Sequence, residues 1–155
     1  MNTVEKIERI LERIEKRLPE IDHTNLKVSK ASVGWHLEHS LLIINSSLKG
    51  LTTTDPSAYQ PVFSIKKWLF LTFEYVPKGK IEAPKPFIPV EIPTQESIIQ
   101  LMSKARHQLS QIAHLSKNAY IAHPFLGHLN KSKTLKFLKI HTNHHLKIVD
   151  DILKN

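Results

Sequence analysis

The sequence predicts an all-α protein: a four-helix bundle with a short extra aromatic helix and a proline-rich loop. Three observations predict it. Four long segments repeat apolar residues at the alternating three-and-four spacing of amphipathic helices. No strand-like alternation is apparent, and no P-loop, dinucleotide fingerprint or internal repeat points to another architecture. The 155 residues form one domain, 1–155, long enough to bury a core without disulfides.

In chain order, Val4, Ile7, Leu11, Ile14 and Leu18 mark a first helix ended by Pro19. Ser32 reads as the N-cap of a second helix, Val33 to about Leu51. That helix is apolar on two sides, with Leu37, Leu41, Ile44, Leu48 and Leu51 on one and Trp35, His39, Leu42 and Ile43 on the other. A helix of this kind belongs at the centre of its domain. After a connection, Phe63 to Tyr75 reads as a short helix packed across the bundle, its aromatics taken as core. Pro77 to Pro89, with Pro93 beyond, can form neither helix nor central strand. Lys78, Lys80 and Lys85 in that loop are candidates for binding an anionic substrate group, with a solvated rigid linker as the alternative. Thr94 caps the next helix, Gln95 to about Leu115, which leaves His107 and His114 on its polar side. Residues 116–130 read as a loop leading into the last helix, Lys131 to Lys154.

The last helix carries the chemistry. At about 100° per residue, Thr134, Phe137, Leu138, His141, His145, Ile148, Val149 and Ile152 fall within an arc of about 120°. Lys136, Lys139, Asn143, Lys147 and Asp150 lie opposite. His141 and His145 therefore interrupt the stripe that faces the core. Buried imidazoles need both ring nitrogens engaged, and two stacked one turn apart disfavour each other's protonation. A shared metal ion satisfies both demands, and hydrogen bonds from core neighbours are the alternative. On the second helix, His39 lies among inward apolar residues, with His36 about 60° round as the runner-up.

The chain has no Cys, so any metal is held by His, Asp or Glu, and no protein thiol can act as nucleophile. The formal charge of +8 raises nucleic acid as a partner, but the basic residues are spread over helix surfaces, many beside acids, and none is expected. No signal-like segment opens the chain, and the longest apolar stretch is too short to span a bilayer. A cytoplasmic protein without membrane partners is expected. The sequence leaves the oligomeric state open, a homodimer through a helical face being one expectation.

Three segments together resemble the DinB-like superfamily of metal-binding four-helix bundles, which includes bacillithiol-dependent S-transferases and mycothiol-dependent maleylpyruvate isomerases. They are Ser32-Val-Gly-Trp-His-Leu-Glu-His39, His123-Pro-Phe-Leu-Gly127 and His141-x-x-His-His145. The resemblance covers essentially the whole chain, and Lys78-Gly-Lys80 with Ala83-Pro-Lys85 suggests a poorly characterised branch. It implies His39, His141 and His145 as metal ligands, with His36, His144, Trp35 and His123 around them or lining the pocket. It further implies a divalent ion, zinc first and nickel or iron next, a low-molecular-weight thiol as cofactor and a small-molecule substrate. The expected function is then a thiol S-transferase or a hydrolase-like enzyme. No catalytic residue or general base is identified, since Glu38 and Asp151 point elsewhere on their helices. A non-catalytic stress-response or binding module with structural histidines is the alternative.

Overall fold

In the computed structural model, which describes residues 3–74 and 85–154, the chain is mostly helical with one small two-stranded sheet. The first helix, α1 (Thr3–Glu15), buries Ile7, Leu11 and Ile14 completely. It stops short of Pro19, which instead opens a 3-10 turn at Leu18–Glu20. The second, α2 (Val33–Thr53), starts where the Ser32 hydroxyl accepts the Trp35 N–H at 3.2 Å. It is buried on both flanks, by Leu37, Leu41, Ile44 and Leu48 on one and His36, His39 and Ile43 on the other. A short helix, α3 (Ile65–Phe73), follows. The next, α4 (Gln95–Gln111), opens with a Thr94–Ser97 capping box and buries Ile98, Met102, Ala105 and Leu109. It ends before Leu115, in a 3-10 turn at Ile112–His114, and Lys131 Nζ donates to the Leu115 carbonyl at 2.6 Å. That cation sits at the C-terminal end of the 3-10 turn, where a positive charge is favoured. The last helix, α5 (Lys131–Leu153), is capped by Asn130, whose side-chain oxygen accepts the Lys133 N–H at 3.0 Å.

The central position expected of α2 holds: it packs against both α4 and α5, and α1 packs against the same two helices. Asn45, buried on α2, donates from Nδ2 to the Leu101 carbonyl of α4 at 3.0 Å. Ion pairs such as Arg17–Asp150 at 2.6 Å tie the outer helix surfaces, where each is worth little.

Three expectations change. Residues 116–130 are not all loop: β1 (Tyr120–His123) and β2 (Gly127–Asn130) form an antiparallel hairpin, with Ile121 opposite Leu129 and His123 opposite Gly127. Strands of four residues are too short for alternation to show. In the turn, His123 Nδ1 accepts the N–H groups of Phe125 and Leu126, both at 3.2 Å, and Gly127 takes φ +67°. The second change is in α3, where Phe63 just before it and Trp68 and Phe73 within it are exposed rather than core. Among the described residues of this segment, Phe70 alone meets a ring of the body, Phe137 of α5, at 6.0 Å between centroids. Third, α5 is buried over a wider arc than its stripe, with Leu135, Ile140, Thr142 and Leu146 also inaccessible. The reason is its neighbours: α1, α2, α3 and the hairpin all pack on it.

Among the described residues, no helix is long and apolar enough to cross a membrane. The Gly127 conformation is checkable directly. A Cβ there would meet nothing within 4 Å, so the penalty of Gly127→Ala is conformational alone. Loss of about 1–2 kcal/mol in chemical denaturation is expected, and a variant as stable as the parent contradicts this turn.

Candidate metal centre

Burial forces the chemistry of the α2–α5 seam. His39 comes from α2, and His141 and His145, one turn apart, from α5. Their ring centroids are 5.2 Å (His39–His141), 4.7 Å (His39–His145) and 4.6 Å (His141–His145) apart. One nitrogen from each ring lies within 4.8 Å of one nitrogen from each of the others. Ligand nitrogens around tetrahedral zinc, with bonds of about 2.0–2.1 Å, stand roughly 3.4 Å apart. An ion bound here would draw these nitrogens in by up to about 1.4 Å.

The proton on His39 is fixed by its partner. Nδ1 lies 2.7 Å from the Phe87 carbonyl, which can only accept, so Nδ1 carries the hydrogen and Nε2 keeps its lone pair. His145 is held by His36, Nδ1 to Nδ1 at 2.9 Å, and His36 Nε2 lies 3.0 Å from the Ser29 hydroxyl. Ser29 Oγ also accepts the Ala31 N–H at 3.1 Å. Two proton orders satisfy this chain. In the one with His36 Nε2–H donating to Ser29, His145 Nδ1–H donates to His36 and His145 Nε2 is left free to ligate. His141 supplies the third observation: its Nδ1 is buried with no hydrogen-bond partner among the described residues. Such an orphan costs about 1–3 kcal/mol, and a cation is a species that would engage it.

All these rings are neutral at pH 7. Burial, with the neighbouring His39 and His144, holds His36 down at about 4. Burial, with His39, His144 and His123, lowers His141 to about 3. His145 is lowered further, by burial first and then by His141, His39 and His36. Burial also lowers His39, opposed by the Phe87 hydrogen bond. Neutral imidazoles are the form that coordinates metal.

Two aromatics wall the cluster. Trp35 stacks on His39 at 4.9 Å and 11°, and Phe137 tilts against His141 at 5.7 Å. His39 is buried, and His141 and His145 are half-buried as residues.

The sequence-derived residues are placed as follows. His39, His141 and His145 come together, and His36 stands behind His145. His144 packs edge-on against His145 at 5.3 Å. His123 meets Phe137 edge-on at 4.7 Å, with its Nδ1 committed to the hairpin turn. Lys85 is exposed in a 3-10 turn, Lys85–Phe87, while Lys78 and Lys80 lie outside the described residues. Among the described residues no carboxylate joins the cluster. Glu38 instead accepts the Ser97 hydroxyl at 2.9 Å, facing α4, and Asp151 pairs with Lys154. Two contributors carry no sequence signal: Ser29, and Phe87, which acts through its backbone.

Residues 11–151 match the family model described as "Protein of unknown function (DUF1569)". No curated protein and no solved structure matches the chain.

The lowered histidines set a pH dependence. A histidine whose folded pKa lies below the unfolded value of 6.5 costs nothing above 6.5, and its neutrality opposes folding increasingly as the unfolded chain protonates. Each contributes up to about 1.4 kcal/mol per pH unit between 6.5 and its folded value. The chelator-treated protein should therefore show a level melting temperature above pH 7 and a steep fall from pH 6 toward pH 4. A melting temperature unchanged between pH 7 and pH 5 contradicts neutral burial of these rings.

Proposed function

The chain belongs to the DUF1569 family, and we propose that it is a metal-dependent enzyme, with His39, His141 and His145 holding one divalent ion. The single observation that carries this reading is the cluster itself: three neutral imidazoles converging, with a buried His141 nitrogen that no group among the described residues satisfies. The mutual packing of α1, α2, α4 and α5 supports reading the fold as a four-helix bundle of the DinB-like kind. So does the concurrence of the three segments that resemble that superfamily.

Three neutral ligands leave a divalent ion its full charge, so it supplies Lewis acidity that lowers the pKa of a thiol or water reaching it. Zinc fits this all-nitrogen set best, with nickel and iron also suited to imidazole. Because the chain has no Cys, a thiol nucleophile arrives as a small-molecule cofactor. The protein's own part is to orient and exclude. The Phe87 carbonyl fixes the His39 tautomer, the Ser29–His36 pair orients His145, and Trp35 and Phe137 shield the rings from water. Lys85 stands two residues from Phe87 and is suited to steer an anionic small-molecule substrate toward the cluster, a role for which Lys78 and Lys80 are candidates on sequence alone. The reaction class is thiol S-transfer or hydrolysis.

Protein purified without chelator should carry about one ion per chain by elemental mass spectrometry. His141→Ala should lose it, and His36→Ala should retain the site with roughly 10–100-fold weaker affinity. A full metal complement in His141→Ala overturns the ligand assignment. Metal-loaded protein that turns over neither a thiol conjugate nor a hydrolysable ester favours instead a binding module in which the histidines are structural.

A further inference from the structure

The short helix α3 is inside-out. Its one buried side chain, Lys67, is 5% exposed, and its Nζ donates to the carbonyls of Val62 and His128. Opposite it, Ile65, Trp68, Leu69 and Phe73 follow helical spacing and are 63%, 49%, 44% and 65% exposed. Val62 and Phe63, just before the helix, are exposed as well. Lys67 pins this orientation, because rolling the helix to hide its apolar face would strip the ammonium of its carbonyls.

We propose that this strip is a membrane-surface element that seats α3 in the interface of an anionic bilayer. Charge selects the occupant. Residues 60–73 contain Lys66 and Lys67 and no acid, and the neighbouring α5 carries Lys131, Lys133, Lys136, Lys139 and Lys147 with no Asp or Glu before Asp150. Two contacts bring that basic stretch beside α3. Lys133 is close enough to Lys67 to act on it electrostatically, and Lys139 pairs with Glu74, the residue that caps α3, at 2.8 Å. An apolar, Trp-bearing strip bordered by lysines is the pattern of a helix lying in the headgroup region of anionic lipid. At nine residues α3 is far too short to span. A second copy of the chain fits less well, since pairing would bring two lysine-bordered strips of one positively charged protein together. A peptide partner would need a groove, and side chains this exposed form a ridge.

Co-sedimentation of the full chain with vesicles of phosphatidylcholine, with or without phosphatidylglycerol, tests this. Binding is expected with phosphatidylglycerol, weaker by roughly a hundredfold without it, the attraction of about three lysines, and lost at high salt. The Phe63→Ser/Phe73→Ser variant, altered only at exposed positions, and Lys66→Glu/Lys136→Glu should each bind about tenfold more weakly or worse. Absence from the pellet of anionic vesicles, or variants that bind as the parent does, overturns the proposal. So does a dimer in sedimentation equilibrium that Phe63→Ser/Phe73→Ser dissolves, which assigns the strip to a second copy.

Discussion

Three imidazoles packed into the seam between α2 and α5 can be accommodated there only while they remain uncharged. Each lies within about 5 Å of the other two, centroid to centroid. Protonating one would place a charge in a poorly solvated seam beside rings that would each resist the next proton. The arrangement is thus a standing set of lone pairs held together by packing on either side. Apolar residues at these positions would be simpler to bury, since they would leave no nitrogen in need of a partner. The convergence of so many polar rings in one place is what gives the seam chemical meaning.

Much of the remaining architecture serves to hold those rings. Position in the middle of the fold lets α2 present His39 toward α5 while its other flank packs on α4. The turn at Lys85–Phe87 packs on α2, and the Phe87 carbonyl accepts a hydrogen bond from His39 Nδ1–H. Before α2, the turn that carries Ser29 is anchored through its own backbone bonds to Asn25, so the Ser29–His36–His145 chain begins from a fixed point. The hairpin delivers the chain into α5 in the correct register, with Asn130 both closing the last strand and capping the helix. Ligand geometry of this kind depends on rigid supports more than on the ligands themselves.

The sequence displayed the parts of this that rest on helical period and capping. His141 and His145 stood out because they interrupt an apolar stripe, Ser32 and Thr94 because a hydroxyl precedes each periodic run, and α2 because it is apolar on two sides. What stayed hidden has physical reasons. The Phe87 contact is made by a main-chain carbonyl, to which side-chain identity is silent. Two strands of four residues leave too few positions for alternation. The aromatic segment misled because aromatic residues usually pack inward, and the local pattern does not reveal that Lys67 finds carbonyl partners on the inner side. The breadth of burial on α5 depends on how many elements surround it, a tertiary property.

The most direct measurement of the metal claim is anomalous X-ray scattering, recorded across the zinc, nickel and iron absorption edges on crystals of protein never exposed to chelator. A single peak equidistant from the His39, His141 and His145 rings, present above one edge and absent below it, is the result predicted. Crystals with no anomalous peak in that seam, or with the ion bound elsewhere, would contradict it.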